Sequence, residues 1–131
     1  MVSLIAVLSS GKGTWAQVNS LIKCAKWDKV YLVCNDYAFE NYDAKGAIKL
    51  KFDSKRVMDT VNKLAEFFKK DVKDFEVSVN LYSGDGIEHM AVMSAVLKAG
   101  LGMRFVFENN GELGEFELLD QKFDPDFEDT F

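Results

Sequence analysis

Short apolar runs alternate with amphipathic stretches along most of this 131-residue chain, and no other feature constrains the fold as much. SLIAVL (3–8) and KVYLVCN (29–35) are rich in β-branched residues, and apolar side chains recur at helical spacing between them. FEVSVNLY (75–82), a helical pattern over 86–100 and GMRFVFE (102–108) repeat the arrangement. This alternation predicts a three-layer, Rossmann-like α/β fold with a mainly parallel sheet and right-handed crossovers.

The remaining patterns place the edges of the predicted sheet, whose strand order is 3-2-1-4-5. AIKLKF (47–52) alternates apolar residues with lysine, which suits an edge strand. The next helical pattern has Ser54 as its expected N-cap. Further on, the turn NNG (109–111) tolerates positive φ between two apolar runs. Residues 112–119 are therefore expected to add an antiparallel sixth strand at the other edge.

Length and charge predict one domain, residues 1–120, followed by an acidic, phenylalanine-containing tail, residues 121–131. Residues 112–131 hold eight Asp or Glu against one Lys, whereas the other 111 residues hold 15 Lys or Arg against 13 acids. A mildly basic body suits a small anionic ligand but lacks the basic stripe of proteins that bind duplex nucleic acid. The tail is either partly ordered or a strip that docks on a neighbouring subunit.

Other classes of protein are not expected from the composition. No apolar stretch approaches the about 20 residues of a membrane span, and MVSLIAVL lacks the features of a signal peptide, so we expect a cytoplasmic protein without membrane contact. Cys24 and Cys34 form no CxxC pair and His89 is the single histidine, so neither a metal site nor a cofactor is expected.

Two glycine-rich loops mark the predicted ligand site. In such sheets, ligands bind beyond the carboxyl ends of the strands where neighbouring crossovers run to opposite faces, here between strands 1 and 4. SSGKGT (9–14) and SGDGIEH (83–89) leave these strands, and both open a helix. Backbone N–H groups, hydroxyls and Lys12 favour an anion, although two ordinary β–α turns are the alternative. The predicted binding residues are Ser9, Ser10, Gly11, Lys12, Gly13, Thr14, Asn35, Ser83, Gly84, Asp85 and Gly86.

The first loop departs from the motifs of the common nucleotide-binding loops. A triphosphate loop needs glycine where Ala6 stands and Ser or Thr where Gly13 follows Lys12. The dinucleotide fingerprint has Ala16 in place of its third glycine, a replacement that such loops sometimes tolerate, so this signal is weak rather than absent. SSGKGT is therefore predicted to be a phosphate-tolerant turn that needs no magnesium.

The second loop and its surroundings resemble a known family. VNLYSGDGIEHMAVMSAVLKAGLGMRFVFENNGEL is similar to CARF domains, the CRISPR-associated Rossmann folds, in which a strand ending in Asn precedes a glycine-rich turn, a small-residue helix, a strand and a hairpin. Asn80, Ser83, Gly84, Gly86 and Met90 occupy comparable positions. The resemblance implies a homodimer that binds a cyclic oligoadenylate across its two-fold axis, and some such domains also cleave this ligand.

Three functions remain open at this point: a nucleotide- or anion-binding sensor, a ring nuclease or other phosphodiesterase, and a subunit that acts through protein contacts. In the enzyme, Ser9, Ser10 or Lys12 would position the phosphate and His89 would move a proton. The alternative is that His89 is a packing residue. Asp85 and Glu88 are then negative charges at a helix N-terminus, where they interact favourably with the helix dipole.

The helical pattern over 86–100 is apolar around more of its circumference than one core-facing stripe requires. We therefore predict that this helix contributes to a two-fold interface. The sulfurs of Met90 and Met93 are assigned to the core rather than to a metal.

Overall fold

The structure is a computed structural model that describes residues 2–116, and it shows a mixed six-stranded sheet with helices packed around it. The sheet order is β3-β2-β1-β4-β5-β6, parallel except for the antiparallel β5–β6 pair, which confirms the predicted order. The strands are β1 (Leu4–Leu8), β2 (Val30–Cys34), β3 (Ile48–Lys51), β4 (Glu76–Asn80), β5 (Gly102–Asn109) and β6 (Glu112–Glu115). The helices are α1 (Lys12–Lys23), α2 (Asp36–Asn41), α3 (Val57–Asp71) and α4 (Gly86–Lys98).

Two helical layers enclose the sheet. Every residue of β1 is buried, as expected for a central strand. Ile5 and Val7 pack in the cluster that contains the buried residues of α3 and α4, whereas Ala6 and Leu8 pack with α1 and α2. The crossovers therefore change face between β1 and β4, and the switch point lies where the alternation of patterns predicted it.

The short helix α2 was not predicted. The Asn35 side chain accepts a hydrogen bond from the Ala38 N–H (2.9 Å) and so begins this helix. At its other end, Lys49 Nζ donates to the carbonyls of Phe39 (2.6 Å) and Tyr42 (2.9 Å). Six residues are too few for hydrophobic periodicity to distinguish a helix from a loop.

The prediction that Ser54 caps α3 was wrong. The N-cap residue is Arg56, whose side chain makes no capping hydrogen bond. The Asp53 carboxylate accepts the Lys55 N–H (2.9 Å), so a local turn occupies these residues. The helix consequently begins at Val57, two residues later than an N-cap at Ser54 would place its start.

The predicted hairpin between β5 and β6 is present. Asn110 (φ 54°) and Gly111 (φ 82°) both adopt positive φ, as a type I′ turn requires. Arg104 on β5 pairs with Glu76 on β4 (2.6 Å) and with Glu115 on β6 (2.7 Å). The sixth strand ends at Glu115. Residues 117–119 of the predicted strand and the tail at 121–131 lie outside the described residues.

Helix α4 buries one side against α3 and the sheet and exposes apolar residues on the other. Ala91, Val92, Ala95 and Val96 are buried. Ile87, Met90 and Leu97 are 45%, 58% and 59% exposed, so the assignment of the Met90 sulfur to the core was wrong. Across the part of the chain that the structure describes, no helix is long and apolar enough to cross a membrane.

Candidate functional site

The loops after β1 and β4 meet at the switch point through Ser83. Its hydroxyl, which is buried, accepts the Ser9 N–H (2.9 Å) and is hydrogen-bonded to the Thr14 hydroxyl (2.8 Å). Thr14 also donates to the Gly11 carbonyl (2.5 Å). Direct hydrogen bonds therefore join the two glycine-rich loops, which the sequence predicted to face each other.

Asn35 brings the end of β2 into the same group of loops. Its amide nitrogen donates to the hydroxyls of Ser9 (3.0 Å) and Ser10 (2.8 Å). Its amide oxygen is used by α2, as described above. The predicted serine, threonine and asparagine side chains are thus brought together, and each already has a partner within the chain.

Gly84 fits the β4 loop for a steric reason. Its φ is +98°, and a Cβ would lie 2.7 Å from Val7 Cγ1 and 3.0 Å from Glu88 Oε1. Side chains rarely adopt this backbone conformation, and Val7 is buried in the central strand. Gly84 therefore allows the β4 loop to approach β1 closely.

Two acidic residues, Asp85 and Glu88, cap the start of α4. Asp85 accepts the Glu88 N–H and Glu88 accepts the Asp85 N–H, both at 3.0 Å, which forms a capping box. Glu88 is only 6% exposed. Burial raises the pKa of its carboxyl, as does the nearby Asp85 charge, while hydrogen bonds from Asp85 N–H and Ser9 act in the other direction. Gly86 directly follows this cap, and a Cβ there would meet no atom within 4 Å.

The start of α1 is different, because no side chain caps it. Gly11 is the N-cap residue and makes no side-chain hydrogen bond. The Thr14 N–H donates to the Gly11 carbonyl (3.1 Å), while the N–H groups of Lys12 and Gly13 have no acceptor among residues 2–116. A Cβ on Gly13 would meet no atom within 4 Å, so the space beside it is open. The Lys12 side chain lies outside what the structure describes.

His89, the candidate residue for proton transfer, is hydrogen-bonded to the backbone of the β4 loop. Its Nε2 lies 2.8 Å from the Ser83 carbonyl oxygen, which can only accept, so Nε2 carries a proton. In the neutral ring this leaves Nδ1 as the free acceptor. Any proton transfer by His89 would therefore have to use Nδ1.

A cavity of about 450 Å³ opens beside these loops, at the carboxyl ends of β2 and β3. Its lining includes Glu88 and Asn35, and the Asn35 amide donates a hydrogen bond to the Ser9 hydroxyl (3.0 Å). The other lining residues were not among the predicted site residues, although their position after strands 2 and 3 places them at the same edge. These residues are Asp36, Tyr37, Lys51, Phe52, Asp53, Ser54 and Lys55.

Metal and thiol chemistry find little support in the described residues. Among residues 2–116, no group of three or more His, Cys, Asp or Glu side chains is arranged to hold a metal ion. Cys24 and Cys34 are free thiols, and burial raises the pKa of Cys34 to about 12. Cys34 is therefore a poor nucleophile at neutral pH.

Comparison with known proteins adds no family to these observations. No protein-family model matches the chain, and a search of curated proteins found no significant match. The resemblance to CARF domains accordingly rests on the residues quoted above.

Proposed function

We propose that this protein is a small ligand-binding domain that holds a nucleotide or a similar anionic ligand between the β1 and β4 loops, in a sensor-like role. The observation that supports this most directly is the uncapped start of α1 beside two loops that are hydrogen-bonded to each other. Free N–H groups at a helix N-terminus favour an anion. The family resemblance adds a cyclic oligoadenylate as the candidate ligand, and a cytoplasmic location remains a prediction.

The site geometry favours binding over catalysis. The hydroxyls of Ser9, Ser10 and Thr14 have partners within the chain, and His89 uses Nε2 to hold the β4 loop. A ring nuclease or other phosphodiesterase remains the enzymatic alternative. Conversion of a labelled cyclic oligoadenylate to linear products would identify it, and an unchanged ligand would support the sensor.

The exposed side of α4 supports the second part of the proposal, a homodimer. Ile87, Met90 and Leu97 present large apolar side chains along a helix whose first turn belongs to the candidate site. A two-fold contact through α4 would bring two copies of the site close together. Function through protein contacts alone would instead leave association unaffected by any nucleotide.

Calorimetry tests the ligand proposal. AMP, ATP and a cyclic tetra-adenylate should be titrated with and without EDTA, and uncharged adenosine serves as the ligand control. Gly13→Asp places a negative charge in the open space at the start of α1, and Ser20→Asp places the same charge on an exposed part of that helix. We expect binding of at least one anionic ligand without magnesium, loss in Gly13→Asp and retention in Ser20→Asp. Absence of binding by all three nucleotides, or equal binding by both variants, would refute the site.

A further inference from the structure

The cavity of about 450 Å³ at the carboxyl ends of β2 and β3 adjoins the anion site through Asn35. The Asn35 amide lies in the cavity lining and donates to the Ser10 hydroxyl (2.8 Å). Ser10 directly precedes Gly11, the N-cap residue of α1. The cavity volume is within the range of about 300 to 1,000 Å³ that is usual for small-molecule sites. A ligand whose anion is held at the start of α1 could therefore extend across Ser10 and Asn35 into this cavity.

The charges of the cavity lining do not favour a second anion. The lining contains two lysines, Lys51 and Lys55, and three carboxyl groups, those of Asp36, Asp53 and Glu88. Lys51 is paired with Asp36 (3.4 Å), which leaves Lys55 against the other two acids. Carboxylates repel a phosphate but accept hydrogen bonds from hydroxyl and amino groups. The cavity therefore suits an uncharged group that carries hydrogen-bond donors.

Tyr37 adds an aromatic ring to the cavity lining on the side of α1. Its ring centroid lies 5.8 Å from that of Trp15, in the first turn of α1. Trp15 Nε1 in turn donates to the Ser9 carbonyl (2.5 Å), in the loop after β1. Tyr37 is nevertheless 42% exposed. An exposed aromatic ring that is supported by a neighbouring ring can stack on a planar base.

We propose that this cavity binds the nucleoside part of the ligand, with the base stacked on Tyr37 and the phosphate at the start of α1. The order of the groups supports this assignment: free N–H groups come first, the hydroxyl and amide of Ser10 and Asn35 follow, and the aromatic ring lies beyond them. A nucleotide has the same order of phosphate, sugar and base. The inference rests on the proposed function, because the phosphate occupies the α1 site.

An amide NMR titration of the full-length chain with two ligands tests this proposal. One ligand is AMP, and the other is methyl ribofuranoside 5-phosphate, which keeps the sugar and the phosphate but has no base. Both should shift the Gly13 amide, and AMP alone should shift the amides of Tyr37 and Lys55. AMP should bind at least about fivefold more tightly than the base-free phosphate, as expected for one base–aromatic stack.

Substitutions of Tyr37 test the role of its ring. Tyr37→Ala should weaken AMP binding at least about fivefold and leave binding of the base-free phosphate unchanged. Tyr37→Phe keeps the ring and should bind both ligands like the wild type. Phe75→Ala is the matched control, because it removes a 95% exposed ring directly before β4, at the opposite end of the strands. If Tyr37→Ala disturbs the fold at Trp15, Tyr37→Leu replaces it, since leucine keeps an apolar contact there but has no ring.

Two results would overturn the proposal, and they separate it from the proposed function. Equal affinities for AMP and the base-free phosphate, with AMP binding unchanged in Tyr37→Ala, would show that the base lies outside the cavity while the anion site stands. Absence of a shift at Gly13 with either ligand would overturn the proposed function and this inference together.

Discussion

Gly84 combines a positive φ with a close approach to Val7, so a side chain at this position has two costs. Gly84→Ala should lower the free energy of unfolding by about 2 to 4 kcal/mol, because backbone strain adds to an overpacked contact with the central strand. Gly13→Ala is the matched control, since no atom lies within 4 Å of the added Cβ. It should change stability by at most about 1 kcal/mol.

Urea unfolding of the three proteins measures these differences. Wild-type stability in Gly84→Ala would show that the β4 loop does not pack on Val7 as described. The same clash makes Gly84 a poor residue for testing ligand binding, because a loss of affinity could not be separated from damage to the loop.

Glu88 should give the protein a pH dependence of defined sign. Burial raises its pKa in the folded state above the ordinary value of 4.5, so between these two values the folded state holds a proton that the unfolded state has lost. This contribution to stability is present below pH 4.5 and disappears as the pH rises through the folded-state pKa. Gln can still accept the Asp85 N–H but does not titrate.

The stability of wild type relative to Glu88→Gln should therefore fall as the pH rises from 4 to 7, measured by urea unfolding. Asp71→Asn provides a control, because hydrogen bonding from Tyr31 lowers the pKa of Asp71 below its ordinary value of 3.8. Its contribution to stability is lost only as the pH falls below that value, so the difference between wild type and Asp71→Asn should stay nearly constant from pH 4 to 7. A wild-type-to-Glu88→Gln difference that is constant or rises with pH would contradict the buried carboxyl.

Two copies of the chain should associate through the exposed apolar side of α4. Burial of a Met side chain contributes about 1.5 to 3 kcal/mol, and a two-fold interface contains Met90 twice. Met90→Asp should therefore weaken self-association at least about a hundredfold, measured by sedimentation equilibrium. Gln17→Asp introduces the same charge on α1, at the other face of the sheet, and should leave association unchanged. A wild-type monomer at high micromolar concentration would refute the α4 interface.

The strands and longer helices could be predicted because their patterns are local. The strand order followed from apolar runs and crossover rules, and the two site loops followed from glycine and hydroxyl residues after strands 1 and 4. The ends of helices were harder to predict. Asp53 forms a local turn with Lys55, so α3 begins at Val57 and not directly after Ser54.

The chemistry of the site depended on contacts that no local pattern contains. The Ser83 hydroxyl is hydrogen-bonded to the Ser9 N–H and to the Thr14 hydroxyl, and Glu88 is buried as one of the two residues of a capping box. From the sequence alone, these groups were equally suited to contact a ligand. The uncapped start of α1 could be identified only from the three-dimensional positions of the described residues around it.

The candidate site joins the two halves of the molecule. α1 belongs to the layer on one face of the sheet and α4 to the layer on the other, and their preceding loops are bonded through Ser83. A ligand held between these loops would contact both halves and would not bind the unfolded chain. Binding should therefore stabilise the whole fold rather than a single loop.

Because binding should stabilise the whole fold, the free energy of unfolding can be used to measure how much Lys12 contributes to ligand binding. A bound nucleotide at 100 times its Kd should raise the free energy of unfolding by about 2.7 kcal/mol, with the denaturant slope unchanged. Lys12→Ala should reduce the binding free energy by about 1 to 3 kcal/mol, the range for a hydrogen bond to a charged group.

Magnesium should not be required, because Ala6 and Gly13 replace the residues that a triphosphate loop uses. Urea unfolding with and without the tightest-binding nucleotide, in EDTA and then in magnesium, measures both effects, and Lys23→Ala in the last turn of α1 is the control. Stabilisation that appears only with magnesium, or that is equal in both variants, would place the ligand elsewhere.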